Sequence, residues 1–165
     1  MENKTGFVAS SFDILHPGYV MMLKECKDNC SYLVVGLHEN PAWGRDNKNS
    51  PIMSLHERFL VLKSIRYIDE IAPYNNEDEL INLLKFYTGR PDYHKPYRGV
   101  RFLGSDYCQG PEREYKKKIT GYDICSIRWI WRSHDYSSSG IRKEIYEAEK
   151  RKVDLEKFKR EEVLV

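Results

Sequence analysis

The chain opens with an apolar run, an amphipathic stretch and a second apolar run. Phe7-Val8-Ala9 suits a buried parallel strand, and Ser10, Ser11 and Asp13 mark its end. His16-Pro17-Gly18 then opens a helix expected to reach about Cys30. Tyr19, Val20, Leu23 and Cys26 fall near one face, and Lys24, Glu25, Lys27 and Asp28 on the wet one. Ser31-Tyr32-Leu33-Val34-Val35-Gly36-Leu37 is apolar at almost every position, as in a central strand covered on both faces. Strand, helix and strand within about 30 residues predict a βαβ unit with a right-handed crossover.

Further along, residues 38–53 carry His38, Pro41, Gly44, Asn47, Asn49 and Pro51 and read as a long loop after a strand's carboxyl end. Ser54-Leu55-His56-Glu57 is a capping box for a helix running to about Ile65, with Leu55, Phe59, Leu62 and Ile65 inward and Arg58 opposite as a surface charge. Asn76 to Tyr87 repeats Leu80, Leu83, Leu84 and Tyr87 at helical spacing and stops at Gly89-Arg90-Pro91. Residues 88–99 read as a surface excursion, Val100 to Gly104 as a short strand, and Ile124 to Trp131 as the last strand. Ser137, Ser138 and Ser139 can cap a final helix whose acidic and basic residues alternate from Arg142 to Arg160. No repeat or linker interrupts the order. The expectation is one α/β domain, a Rossmann-like doubly wound parallel sheet, with 147–165 a charged helix or tail of the same domain.

Composition narrows the classes. With 165 residues, 41% hydrophobic and 32% charged, the chain has room for a sizeable core and is not of a disordered type. The net charge of +2, from 27 basic and 25 acidic residues, gives no electrostatic case for a nucleic-acid partner. No apolar run approaches a membrane span, and the first residues lack the basic and apolar regions of a signal peptide. Cys26, Cys30, Cys108 and Cys125 show no paired metal-ligand spacing, so free thiols in a reducing cytoplasm are expected.

The chemistry concentrates where the first strand meets its helix. Such a turn offers backbone N–H groups and the positive end of a helix dipole to an anion, and His16 adds a donor. On local features alone the same turn reads equally well as an ordinary βα connection with a solvated histidine. Ser11-Phe12-Asp13-Ile14-Leu15-His16-Pro17-Gly18-Tyr19 resembles the (G/S)xFDxxHxGH signature of nucleotidyltransferases related to glycerol-3-phosphate cytidylyltransferase. Arg132-Ser133-His134-Asp135-Tyr136-Ser137-Ser138-Ser139-Gly140-Ile141-Arg142 resembles that family's second signature, RTxxxSTTxIK, and Arg66-Tyr67-Ile68-Asp69-Glu70-Ile71 resembles its RYVDEV segment. The likeness spans roughly residues 5–146 and keeps the family's order.

The resemblance implies transfer of CMP from CTP to a small phosphorylated alcohol, with glycerol 3-phosphate the acceptor of the closest pattern and ATP the runner-up nucleotide. It gives His16, Tyr19 and Arg132 to catalysis. It gives Ser10, Ser11, Phe12, Asp13, Gly18, Lys48, Arg66, Asp106, Tyr107, Ser137, Ser138 and Ser139 to nucleotide binding. Lys48 stands in for the family's loop lysine, whose position is Ser50 here, and Tyr107 for a tryptophan. Mg²⁺ is implied as a cofactor bound through the nucleotide phosphates, and a homodimer as the assembly. Tyr19 departs from the pattern: the second histidine of HxGH is a neutral phenol here, so a nucleotide-binding protein with weak or lost turnover is the competing expectation.

Overall fold

The computed structural model describes residues 4–43, 48–89, 98–105 and 124–162, with side chains as far as residue 154. Five strands and four helices follow in the order β1 (Thr5–Ser10), α1 (Pro17–Asp28), β2 (Tyr32–His38), α2 (Leu55–Lys63), β3 (Glu70–Tyr74), α3 (Glu77–Thr88), β4 (Gly99–Gly104), β5 (Ser126–Ile130) and α4 (Ser138–Glu162). The strands form one sheet in the order β3-β2-β1-β4-β5, every pair parallel. This is the expected Rossmann-like topology.

Alternation along the central strands builds a core on each face. Val8 and Val35 turn to one side with Leu23 and Cys26 of α1 and Leu62 of α2. Phe7 and Val34, one residue earlier, turn to the other side with Leu80 and Leu84 of α3. Leu33, Val34, Val35 and Leu37 have no exposed surface, as the apolar run of β2 requires. Cys26, Cys30 and Cys125 are buried, and burial raises the Cys26 thiol far above its ordinary range. Cys108 lies outside the described residues.

The apolar pattern did not mark β3. Its central position is Ala72, and Pro73 cannot donate to a ladder, so the segment has a weak strand signature. Its edge place explains the tolerance: among the described residues only β2 pairs with it, from Val34↔Glu70 to His38↔Tyr74. Glu70 anchors it further, accepting hydrogen bonds from Tyr32 Oη (3.0 Å) and from Tyr87 Oη. Burial, followed by that bond, pushes the Tyr87 phenol up to about 12.

Arg58 corrects the surface-charge reading. It is 2% exposed, and its guanidinium donates to five backbone carbonyls. Nε reaches Met53 O (3.0 Å) and Ser54 O (3.3 Å), one Nη reaches Ser11 O and His38 O (2.7 Å each), and the other reaches Glu39 O (2.6 Å). Those carbonyls belong to the loops after β1 and β2 and the turn into α2, so one side chain ties together the sheet's carboxyl edge.

Candidate functional site

Between β1 and β4 the strand order reverses, with α1 leaving one way and the later elements the other. Open α/β sheets leave a crevice at such a switch point, outside the carboxyl ends of the strands. A cavity of about 850 Å³ lies there. Its wall includes Ser11 and Asp13 after β1, His16, Gly18 and Tyr19 at the start of α1, Gly104 and Ser105 after β4, and Trp131 to His134 after β5.

The first loop is bent sharply. Phe12 and Ile14 take left-handed backbone angles (φ 49° and 54°), which cost non-glycine residues about 1–3 kcal/mol each. Asp13 between them holds the bend. Its Oδ1 accepts from Ile52 N and Met53 N (3.0 Å each), Oδ2 pairs with Arg142, and its carbonyl accepts from Ser138 Oγ (2.8 Å). Arg142 also reaches Ser50 O (3.1 Å), so the loop before α2 and the start of α4 both lock onto Asp13. Burial raises the Asp13 carboxyl, but the bonds from Met53, Ile52 and Arg142 together outweigh it and leave the group below its ordinary value.

That direction sets an acid limit. A carboxyl that titrates lower in the folded chain stabilises fully above its unfolded value and loses the contribution as pH falls through the folded one. Unfolding midpoints should therefore fall below about pH 4. Asp13→Asn should weaken that acid dependence and cost about 1–3 kcal/mol at neutral pH, because its amide would face Arg142 donor to donor. Denaturant melts of both proteins from pH 3 to 7 check this.

His16 occupies the N-cap position of α1 with Pro17 after it, yet its side chain makes no capping bond. The early N–H groups of the helix therefore have no side-chain partner at the cap. The ring is 8% exposed, it stacks on Tyr19 (centroids 4.3 Å apart, 23°), and its buried Nδ1 has no hydrogen-bond partner. Burial, then the fields of His134 and Arg132, lower its pKa, so it is mostly neutral at pH 7. Tyr19 also leans on Phe12 (5.0 Å), with its hydroxyl 3.5 Å from Ser10 Oγ. The phenol thus forms part of the wall and leaves the cavity open.

The second loop folds around Arg132. Its Nε donates to His134 O (3.0 Å) and one Nη to Tyr136 O, so the guanidinium shapes the loop that it belongs to. Ser137 Oγ accepts from Gly140 N (3.0 Å) as the cap of α4, Ser138 is engaged with Asp13, and Ser139 is exposed.

Of the residues expected at the site, Ser11, Asp13, His16, Gly18, Tyr19, Lys48, Arg132, Ser137, Ser138 and Ser139 line this cavity. Ser10 and Phe12 lie behind its wall, touching Tyr19. Arg66 is not among the lining residues; it donates to Tyr67 Oη (3.1 Å) and sits 5.1 Å from that ring's centroid. Asp106 and Tyr107 lie outside the described residues. Arg142, His134 and the 66%-exposed Trp131 also line the cavity, although neither pattern nor motif assigned them a site role. Arg142 and His134 stand inside the second signature, so their position carried a signal that their residue types did not.

Comparisons with known proteins agree with this geometry. Residues 7–144 match the cytidylyltransferase-like family. The mouse ethanolamine-phosphate cytidylyltransferase is 40% identical over 85 residues, covering 48% of this chain and 21% of that protein. The Dictyostelium discoideum ethanolamine-phosphate cytidylyltransferase is 35% identical over 86 residues, covering 50% and 24%. The bifunctional protein HldE of Caulobacter vibrioides is 32% identical over 105 residues, covering 63% and 20%. The matched segment is thus less than a quarter of the length of each of these relatives. The crystal structure of the lipopolysaccharide core biosynthesis protein from Thermoplasma volcanium superposes with a TM-score of 0.56 at 24% identity, over 81% of this chain and 98% of that one, which speaks for the fold. No helix among the described residues is long and apolar enough to cross a membrane. The match begins in β1 and ends within α4, the two elements whose ends meet at the cavity, and the chain belongs to the cytidylyltransferase-like family.

Proposed function

We propose that this chain is a cytidylyltransferase that moves CMP from CTP onto a small phosphorylated alcohol and releases pyrophosphate. One observation carries the reading: the turn before α1 and the serine loop before α4, distant in sequence, meet and line one cavity at the switch point. An oxygen of the acceptor's phosphate attacks the α-phosphorus, the bond from that phosphorus to the α–β bridging oxygen breaks, and pyrophosphate leaves with the electron pair. The attacking oxygen is already anionic, so the reaction needs no general base. It needs in-line placement and relief of growing negative charge.

The residues suit that task. His16 brings an imidazole to the mouth of α1, where helix N–H groups meet an anion. Lys48 and Arg142 add positively charged side chains to the lining, Arg142 beside its ion pair with Asp13. Mg²⁺ is proposed to enter on the triphosphate, where it would neutralise phosphate oxygens. The chain offers it no cage: no three His, Cys, Asp or Glu converge among the described residues, and Asp13 is engaged by two N–H groups and Arg142.

The acceptor class rests on the motif likeness and on the printed names of the relatives. Glycerol 3-phosphate is the motif's choice and ethanolamine phosphate that of the mouse and Dictyostelium proteins. A thermal-shift panel of CTP, ATP, GTP and UTP with Mg²⁺ should show the largest rise with CTP, and pyrophosphate release with the two acceptors then ranks them. A larger rise with ATP turns the assignment to an adenylyltransferase, and no rise with any of the four removes the nucleotide reading. Tyr19 motivates the second reading, a nucleotide binder that turns over poorly. Because the phenol stands in the wall, Tyr19→His should raise pyrophosphate release less than tenfold; a gain above a hundredfold favours the poor-turnover reading.

A further inference from the structure

We propose that His134, from the loop before α4, is a phosphate-contacting residue that works with His16 as a two-imidazole clamp across the start of α1. The inference rests on the cavity being a triphosphate site and adds a ligand to it that neither the motif nor the family match assigns.

The placement is specific. A Cβ built on Gly18 would lie 2.3 Å from His134 Cε1, 2.8 Å from Nε2 and 3.0 Å from Nδ1. The imidazole of the second loop therefore rests on the second residue of α1, in space that any side chain at position 18 would take. His16 stands two residues before Gly18, and Tyr19 directly after it. Both histidines line the cavity, and both carry a buried Nδ1 with no hydrogen-bond partner. Buried polar atoms in native proteins are nearly always paired, so two cavity-lining rings that each carry an unpaired, covered nitrogen mark side chains whose hydrogen bonds a polar ligand would complete.

The loop holds its ring there for reasons of its own. Arg132 donates from Nε to the His134 carbonyl and from Nη to the Tyr136 carbonyl, which fixes the backbone on both sides of Asp135. The Tyr136 ring lies 5.4 Å from the imidazole, at 44°. His134 and Arg132 also lower the pKa of His16, which places their charges within electrostatic reach of its ring. An arriving polyanion reverses that balance, since it favours the charged form of the His16 imidazole. Position 19, where HxGH carries its second histidine, holds a phenol with its hydroxyl near Ser10. The second imidazole is thus delivered by the loop before α4.

The test uses Mg²⁺-pyrophosphate as a base-independent probe and CTP as the nucleotide. Both are titrated into wild type, His134→Ala, His134→Gln, His16→Ala and the double alanine variant, with the two ring signals followed by nitrogen-15 NMR. Melting curves establish that each variant is folded. The expected result is movement of both imidazole signals with pyrophosphate and about tenfold weaker binding in His134→Ala. Partial recovery in His134→Gln, which keeps a donor, and a double variant weaker than either single but short of their product are also expected. Wild-type affinity for pyrophosphate within twofold in His134→Ala, a His134 signal that does not respond, or no pyrophosphate binding at all overturns the clamp. Binding of pyrophosphate through both rings with no binding of any nucleoside triphosphate leaves the clamp standing and removes the nucleotide reading. CTP binding with a silent His134 does the reverse.

Discussion

Arg58→Met is expected to lower the unfolding free energy by about 3–5 kcal/mol, a larger loss of stability than Asp13→Asn should cause. Methionine fills similar volume but bonds to none of the five carbonyls that the guanidinium serves. Those of Ser11, His38, Glu39 and Met53 come from three separate loops and would lose a charge-assisted donor together. For a chain of this size the loss corresponds to a fall in melting temperature on the order of 10 °C. Arg58→Lys should fall between, because an ammonium has three donors on one nitrogen and cannot span the fork. Thermal and urea melts of the three proteins measure it. A shift below about 1 kcal/mol in Arg58→Met would mean that water or other donors take over the carbonyls. Ser11 lines the cavity, so the same substitution should also loosen nucleotide binding, and the two losses should track each other.

The second large effect is on turnover. His16→Ala is expected to reduce kcat for the proposed CTP reaction by about 10²–10³, as when one donor to a developing anionic charge is removed. Binding of CTP should weaken much less, since Gly18, Lys48 and Arg142 remain on the cavity wall. The ratio of the two effects is the diagnostic. An interaction strengthened in the transition state lowers kcat, whereas one made equally in the ground state raises KM alone. Steady-state pyrophosphate release with a fixed acceptor separates them, and an unchanged kcat would move His16 to ground-state binding or to scaffold. Stability should change little by comparison, because His16 makes no capping bond and its Nδ1 has no partner to lose.

Several features of the fold are visible in local pattern. The apolar run of β2, the stripe of α3 and the capping box of α2 each express one physical rule over a few residues, and each element forms where its rule places it. Ser54 and Glu57 bond reciprocally, as their spacing requires. β3 escaped because its pairing energy comes from β2, and its own composition, with Ala72 and Pro73, carries little strand preference.

The site divides in the same way. His16, Gly18, Arg132 and the three serines, picked out by motif, all line the cavity. Arg66 was named by the same means, yet it lies against Tyr67 and does not line the cavity. A motif carries order along the chain and says nothing of which way a side chain turns. Arg58 shows the limit most clearly. Its charge led to the expectation of a solvated side chain, although its place three residues after Leu55 and four before Leu62 puts it beside the apolar stripe. What buries it is a set of backbone carbonyls, and carbonyl directions leave no trace in a pattern of side chains.

By itself the sequence determined that this is an α/β chain of alternating strands and helices, and that a strand-to-helix turn ending in His16-Pro17-Gly18 opens its first helix. Both follow from short-range physics, in which neighbours within a turn or a strand decide the outcome. Only the tertiary structure decided that Asp13 and Arg142 lock two distant loops together, and that the ring of His134 rests on Gly18. Those contacts depend on how the parallel sheet sets β1 between β2 and β4, which brings the carboxyl ends of β1, β4 and β5 to one edge. No local rule encodes that meeting, because its partners stand more than about a hundred residues apart in the chain.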